Sequence, residues 1–169
     1  MAMQFVRAAA PVAPWQGGKR FLSKTLIDRI VRIPHKTYVE PFVGMGGVFL
    51  RRPCRPRLEV ANDRNGDIVN LFRVIQRHLP QLMDVMRFQL AGRREFERLS
   101  ATDPTTLTDL ECAARLLSMR PGSPTPLRAA NPKLRPTNLS SQTIPRHLDY
   151  FESGKTFQIK ETYNVSHGG

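Results

Sequence analysis

Apolar and polar residues recur with two different periods in the first half of this chain. Apolar side chains at three- and four-residue spacings predict an amphipathic helix over Phe21–Ile33, ending before Pro34. Thr37–Glu40 and Leu58–Asn62 are short runs typical of β-strands, and the first is expected at the centre of a sheet. The helical spacing returns over Ile68–Ile75. Two strands with a helix before and after them are therefore predicted.

Helical patterns continue into the middle of the chain. Pro80 suits the start of a new helix, and Gly92 interrupts it before a short charged helix at 93–99. Thr108 and Glu111 have the spacing of a capping box, in which a hydroxyl and a carboxylate each bond a backbone N–H of the first helical turn. A further helix is expected to follow, so 76–118 is predicted to be mostly helical.

Three segments lack a sustained period. Residues 1–13 are expected to form a loose arm, and 51–57, with four arginines and two prolines, an exposed basic loop. The chain becomes rich in proline after residue 119, so most of 120–169 is expected to be poorly ordered. Within this tail, 157–165 alternates weakly and predicts one strand.

The length and charge of the chain limit the kinds of function that it can have. A chain of 169 residues with 40% apolar residues suits one domain of ordinary size. The net charge of +12 and the pI near 10.8 favour a polyanionic partner such as DNA or RNA, although a merely basic surface gives the same numbers. Cys54 and Cys112 are too few and too far apart for a zinc site or a disulfide framework. We expect a cytoplasmic protein that holds no metal and has no membrane span or signal peptide.

A glycine-rich loop after the first strand is the main candidate for chemistry. It follows Glu40 and contains Gly44 and Gly46, which let a ligand approach the backbone closely. Asp63 ends the next strand about 19 positions after Gly44, a spacing at which a carboxylate reaches a ribose hydroxyl. The alternatives are an ordinary turn and a helix cap, and the two roles can be divided between Asp63 and Asp67.

A second candidate precedes the first helix, where Trp15, Gly17, Gly18 and Lys19 form a flexible turn with an indole on one side and a cation on the other. Such a turn can lie against an adenine ring and a carboxylate or phosphate of one ligand. The alternative is a loop that leads into the helix, with Trp15 packed in the core.

Together these motifs resemble the Dam-type family (D12 class) of DNA adenine-N6 methyltransferases. The matching segments are Trp15-Gln16-Gly17-Gly18-Lys19, Glu40-Pro41-Phe42-Val43-Gly44-Met45-Gly46 and Asn62-Asp63-Arg64-Asn65. The family pattern is Trp-x-Gly-Gly-Lys, then Glu-Pro-Phe-x-Gly-x-Gly, then Asp-x-Asn at the second strand. The resemblance covers about residues 12–118.

The resemblance implies an α/β fold, a partial Rossmann-like methyltransferase domain followed by a helical segment and the proline-rich tail. Residues 1–75 would be the cofactor-binding core, 76–118 the start of the DNA-recognition region and 119–169 the tail. The implied cofactor is S-adenosylmethionine and the implied partner is double-stranded DNA.

The resemblance also assigns roles to site residues. In the family the tryptophan and lysine contact the cofactor, the glycine loop wraps its methionine end, and the acidic residue of the second strand binds the ribose hydroxyls. The corresponding residues here are Trp15, Lys19, Glu40, Phe42, Gly44, Gly46 and Asp63.

The sequence departs from the family at its catalytic motif, Asp-Pro-Pro-Tyr, which is absent. Asp103-Pro104-Thr105 holds the only Asp-Pro, without a preceding strand or a following aromatic residue. We therefore assign no catalytic residue and interpret the chain as an N-terminal part, truncated or read out of frame after about residue 117, that does not methylate DNA alone.

Two other functions remain open at this point. One is a non-catalytic basic protein that binds nucleic acid. The other is a dinucleotide-dependent oxidoreductase, although the loop lacks the Gly-x-Gly-x-x-Gly spacing and the turn at Trp15 has no role in it.

Overall fold

A parallel three-stranded sheet and the helices packed on it form the centre of the protein. The computed structural model describes residues 3–14, 17–90, 92–119 and 158–161. The strands are β1 (Gln4–Phe5), β2 (Thr37–Glu40), β3 (Cys54–Arg55), β4 (Leu58–Asp63) and β5 (Gln158–Glu161). The α-helices are α1 (Ser23–Val31), α2 (Gly66–Phe88), α3 (Arg93–Ala101) and α4 (Asp109–Met119), and short 3-10 turns lie at Phe49–Arg51 and Pro104–Thr106.

The sheet has the order β2-β4-β5, with both pairs parallel. Glu40 lies opposite Ala61, and Asp63 lies opposite Glu161. In the described part of the chain β4, and not β2 as predicted, is the central strand. The position of a strand depends on partners distant in sequence, here β5, which a four-residue pattern cannot reveal. The strand predicted within the tail is confirmed at Gln158–Glu161.

The core lies between the sheet, the glycine loop and α2. Its central part is fully buried and includes Phe49, Leu50, Leu71 and Phe72, all 0% exposed. The predicted helices on either side of Pro80 are two helical segments of α2 that meet at a kink, where the His78 backbone leaves the helical region (φ −137°, ψ 31°). Proline has no N–H to continue the helical ladder, which explains a kink at this point.

Helix α4 packs on α2 through its small buried residues Ala113 and Ala114. The predicted capping box opens this helix. The Thr108 hydroxyl accepts from the Glu111 N–H at 3.3 Å, and the Glu111 carboxylate accepts from the Thr108 N–H at 2.8 Å. The cap and the inward alanines confirm the sequence prediction for this element.

Helix α1 is confirmed but shorter than predicted, and its apolar face is not fully covered. Among its described residues only Ser23 is buried, while Leu26, Ile27 and Ile30 are half-buried. A three- and four-residue period shows that a face is apolar and does not show what covers it.

The prediction of a loose arm at the N-terminus is wrong for residues 4–13. Strand β1 pairs antiparallel with β3, and the Val6 and Ala9 N–H groups donate to the carbonyls of Pro53 and Leu50 at 2.8 and 2.7 Å. Ala9, Val12 and Ala13 lie in the buried core. These bonds join segments far apart in sequence, so no local pattern predicts them.

The prediction of an exposed basic loop at 51–57 is wrong for most of this run, in which only Pro53 and Arg57 are exposed. Arg52 is 2% exposed, forms an ion pair with Glu59 of β4 and places its guanidinium carbon 3.7 Å from the ring centroid of Tyr38. The second arginine of the run is therefore a core residue, because β4 supplies a buried carboxylate and β2 an aromatic face. Buried charges are found where such partners exist.

Some sequence predictions fall outside the described residues. These include Trp15, Gln16 and the tail apart from β5, and the three-part domain division stays a prediction. Cys54 and Cys112 are free thiols. No helix within the described ranges has the length and apolar character that a membrane crossing requires.

Candidate cofactor site

Two buried carboxylates mark one edge of the sheet. Glu40 and Asp63 are the last residues of β2 and β4, and they are 5% and 8% exposed. Because these strands are parallel, both side chains lie at the same carboxyl edge, where ligands of open α/β sheets bind. The loop from Pro41 to Gly47 leaves the sheet at this edge.

The loop is held in a conformation that needs glycine. Gly44 and Gly46 have φ values of +52° and +76°, which other residues rarely adopt. The Val43 N–H donates to the Asn62 carbonyl at 2.9 Å, and the Asn62 side chain donates to the Pro41 carbonyl at 2.8 Å. The loop is therefore fastened to the end of β4 at two points.

The Asp63 side chain forms a third link between the loop and the end of β4. One carboxylate oxygen accepts from the Gly44 N–H at 2.8 Å and the other from the Asn65 N–H at 3.0 Å. The cap of α2 is Asn65, whose side chain accepts from the Asp67 N–H at 2.9 Å. Asp63 is therefore not the N-cap of α2. One of its oxygens bonds the glycine loop and the other bonds the N–H of the N-cap residue Asn65.

Lys19 reaches the same edge from the segment before α1. Its ammonium group lies 3.2 Å from one Glu40 oxygen and donates to the Phe42 carbonyl. The Tyr38 hydroxyl donates to the other Glu40 oxygen at 3.1 Å. The Lys19 side chain is 38% exposed and that of Glu40 is 6% exposed, so the pair places a buried anion beneath a half-exposed cation.

Burial dominates the electrostatics of this edge. Loss of hydration raises the pKa of Glu40 above its ordinary value, and the Lys19 ammonium and the two hydrogen bonds oppose that rise. Burial also raises the pKa of Tyr38, with the Glu40 carboxylate adding to the effect. Tyr38 is therefore neutral and acts as a hydrogen-bond donor to Glu40.

The structure brings most of the predicted site residues together. Contacts within one edge of the sheet join Lys19, Glu40, Phe42, Gly44 and Asp63. Gly46 lies in the same loop but faces the core, and the ring of Phe42 is 67% exposed. Trp15 lies outside the described residues, so its place stays a prediction.

Two supporting residues were not singled out from the sequence. Tyr38 orients Glu40, and the Asn62 side chain orients Pro41. A polar side chain two positions before a strand-end carboxylate lies on the same face of the strand, so alternation along β2 was the available signal for Tyr38.

Asp103 has a structural role consistent with its omission from the site. It is exposed and caps the 3-10 turn between α3 and α4, accepting from the Thr105 N–H at 2.9 Å and the Thr105 hydroxyl at 2.8 Å. These bonds lower the pKa of its carboxyl group. The turn follows a helix and not a strand, as the sequence predicted.

Comparison with known proteins identifies the family to which this chain belongs. Over 115 residues the chain is 29% identical to the Type II methyltransferase M1.LlaDCHI of Lactococcus lactis subsp. cremoris, a match covering 64% of this chain and 39% of that relative. The chain thus spans about two fifths of the curated relative it matches. The family model for D12 class N6 adenine-specific DNA methyltransferases matches residues 15–117, more than half of the chain. The protein therefore belongs to the D12 class of N6 adenine-specific DNA methyltransferases.

Proposed function

We propose that this chain provides the S-adenosylmethionine-binding part of a Rossmann-like DNA adenine-N6 methyltransferase. The observation that carries the proposal is the joining of Lys19 to Glu40 and of Asp63 to Gly44 at the carboxyl edge of two parallel strands. Residues 1–75 form the cofactor-binding core in this proposal, and 76–118 begin the DNA-recognition region. Helix α2 links the two parts, since it runs from Gly66 to Phe88.

The donor set at this edge fits the cofactor. An ammonium group has three N–H donors, and Lys19 uses two within the protein, which leaves one for the cofactor carboxylate. Each oxygen of Asp63 accepts one backbone N–H and keeps a lone pair for a ribose hydroxyl. The Glu40 carboxylate favours the cationic methionine end, which the glycine loop wraps, and Trp15 stacks on the adenine.

When bound, the cofactor supplies a methyl group on a positively charged sulfur. The residues of this chain hold and orient it. A hypothetical Cβ at Gly44 has no neighbour within 4 Å, so the loop backbone is open to a ligand there, whereas Gly46 is closed by Leu50. This difference supports Gly44 as the position where the loop meets the cofactor.

Calorimetric titration with S-adenosylmethionine tests the proposal, with Asp63→Asn and Asp67→Asn as a matched pair. Asp67 lies in the first turn of α2, four residues after Asp63, and is exposed. We expect Asp63→Asn to weaken binding at least about tenfold, because hydrogen bonds to a charged group contribute roughly 1.5–3 kcal/mol. Asp67→Asn should bind like the wild type. Equal affinities for all three proteins would contradict the assignment of Asp63.

The single tryptophan gives an independent readout. Stacking of Trp15 on the adenine should change its fluorescence as S-adenosylmethionine is added, and NAD should leave it unchanged. A response to NAD but not to S-adenosylmethionine would favour the oxidoreductase function instead.

Methyl transfer is proposed to need groups beyond those of this chain. The sequence holds no Asp-Pro-Pro-Tyr, and its one Asp-Pro caps a 3-10 turn. We expect labelled S-adenosylmethionine to bind while no label reaches duplex DNA. Clear turnover would refute this proposal. Absence of both binding and transfer would favour the second candidate function, a non-catalytic nucleic-acid-binding protein, which the net charge of +12 supports.

A further inference from the structure

A basic cavity lies at the end of the sheet opposite the cofactor site. It has a volume of about 450 Å³, and its lining includes Gln4, His35, Lys36, Arg55 and Arg57. Lys36 directly precedes β2, and Arg57 directly precedes β4. These side chains therefore come from the amino ends of the two strands whose carboxyl ends carry Glu40 and Asp63.

The cavity is separate from the cofactor site. Four residues of strand lie between Lys36 and the end of β2, which is about 13 Å at roughly 3.3 Å per residue. One wall is the small sheet of β1 and β3, which contributes Gln4 and Arg55. Substitutions in this cavity should therefore leave the carboxyl edge of the sheet undisturbed.

The cations of the cavity have few anionic partners. Lys36 and Arg57 are exposed, and neither forms an ion pair within the described ranges. The Arg55 side chain is 15% exposed, and its Nε lies 4.0 Å from a Glu59 oxygen. That Nε is buried and has no hydrogen-bond partner, while Glu59 is also engaged by Arg52. The cavity thus carries a net positive charge.

His35 adds a second unsatisfied atom. Its Nδ1 lies 2.6 Å from the Ile33 carbonyl, which only accepts, so Nδ1 carries a hydrogen. Its Nε2 is buried and has no hydrogen-bond partner. A polar atom buried without a partner costs free energy and marks a place where a ligand or water completes the bonding. Two such atoms, on His35 and Arg55, belong to residues that line one cavity.

We propose that this cavity binds a phosphate group. Arginine side chains match phosphate oxygens in pairs of hydrogen bonds, and lysine adds a point charge. The Arg55 and Arg57 guanidinium groups and the Lys36 ammonium supply charge from two chain segments, and the Gln4 amide supplies a further N–H donor. The His35 Nε2 carries no hydrogen when Nδ1 does, so it bonds a protonated phosphate oxygen or a water molecule. The group is a phosphate monoester of a small compound or a phosphodiester of a DNA backbone.

Calorimetric titration with inorganic phosphate and with adenosine 5′-monophosphate tests the proposal on the full chain. The variant is the double substitution Lys36→Gln and Arg57→Gln, which removes two exposed cations and spares the buried Arg55. The matched control is Lys24→Gln with Arg29→Gln, an exposed lysine and arginine on α1. The cavity variant should lose at least about tenfold in phosphate affinity, as expected for charged hydrogen bonds, and the control should not.

Equal phosphate affinity in the cavity variant and the control, or no binding to the wild type, would overturn the proposal. S-adenosylmethionine affinity should be the same in all three proteins, which shows that the variants are folded and that the two sites are independent. Titration of the same proteins with duplex DNA identifies the source of the phosphate. If it belongs to DNA, the cavity variant loses duplex affinity beyond the control and inorganic phosphate competes; otherwise duplex binding matches the control.

Discussion

Gly44 and Gly46 share a left-handed backbone but differ in their surroundings. Gly44→Ala adds a methyl group to open space, so only backbone strain opposes it, about 1–2 kcal/mol. In Gly46→Ala the new Cβ would lie 2.7 Å from Leu50 Cδ1, and Leu50 is 0% exposed and has little room to move. This overpacking adds about 1–3 kcal/mol.

Urea unfolding of the two alanine variants measures this difference. Gly46→Ala should be the less stable by at least about 1 kcal/mol. Equal losses would show that strain alone, and not packing against Leu50, makes glycine necessary in this loop.

Glu40 makes stability depend on pH. Burial raises the pKa of its carboxyl group above the ordinary 4.5, so the folded protein keeps this proton to higher pH than the unfolded chain does. The contribution of Glu40 to stability is therefore fully present below about pH 4.5 and is lost as the pH rises through the folded pKa. Glu40→Gln removes this titration, while the amide oxygen still accepts a hydrogen bond from Lys19 or Tyr38.

Urea unfolding at a series of pH values from about 4 to 7 tests this linkage. Glu40→Gln should lose less stability than the wild type as the pH rises across that range. The control is Glu97→Gln on the exposed side of α3, which should follow the wild type. A steeper fall in Glu40→Gln would contradict the proposed origin of the raised pKa.

At the scale of elements, the ion pair between Arg52 and Glu59 connects the segment before β3 with β4. Both side chains are 2% exposed. Removing one member of a buried pair leaves the other charge poorly compensated and costs about 3–5 kcal/mol, whereas replacing both by apolar residues is often close to neutral. We therefore expect Arg52→Met and Glu59→Met each to destabilise the protein strongly, and the double variant to recover much of the loss.

The same elements show what the sequence could predict. The boundaries of β2, β4 and the capping box of α4 follow from local alternation and from one spacing of hydroxyl and carboxylate. The burial of Arg52 does not, because it requires Tyr38 and Glu59 to meet it from two other strands. The pairing of β1 with β3 likewise joins segments about fifty residues apart.

The site residues that the sequence predicted best are those at the ends of strands. Glu40 and Asp63 were predicted at the carboxyl ends of successive strands, and parallel pairing brings them to one edge. The partners that fix them, Tyr38 for the first and the Gly44 N–H for the second, depend on distances that sequence spacing does not contain. The spacing of Gly44 and Asp63 predicted that the carboxylate reaches a ribose hydroxyl, whereas in the fold the carboxylate holds the loop through the Gly44 N–H.

At the scale of the whole molecule, the arginines that give the excess of positive charge differ in whether they form ion pairs. Arg87 and Arg98 lie 4.0 and 2.6 Å from carboxylate oxygens of Asp84 and Glu95. Arg73 and Arg77 are exposed, lie one helical turn apart on α2 and form no ion pair within the described ranges. If α2 faces DNA, the second pair of arginines contributes more to phosphate contacts than the first.

Duplex binding as a function of salt tests this difference. Each phosphate contact adds about 0.9 to the slope of log affinity against log salt, because it releases counterions. Arg73→Gln with Arg77→Gln should therefore lower the slope by roughly 1.8, and Arg87→Gln with Arg98→Gln should lower it less. Both variants remove two arginines, so an equal change would show that net charge alone, and not the absence of an ion pair at Arg73 and Arg77, determines binding. S-adenosylmethionine affinity should stay constant in both, which separates loss of DNA contacts from loss of the fold.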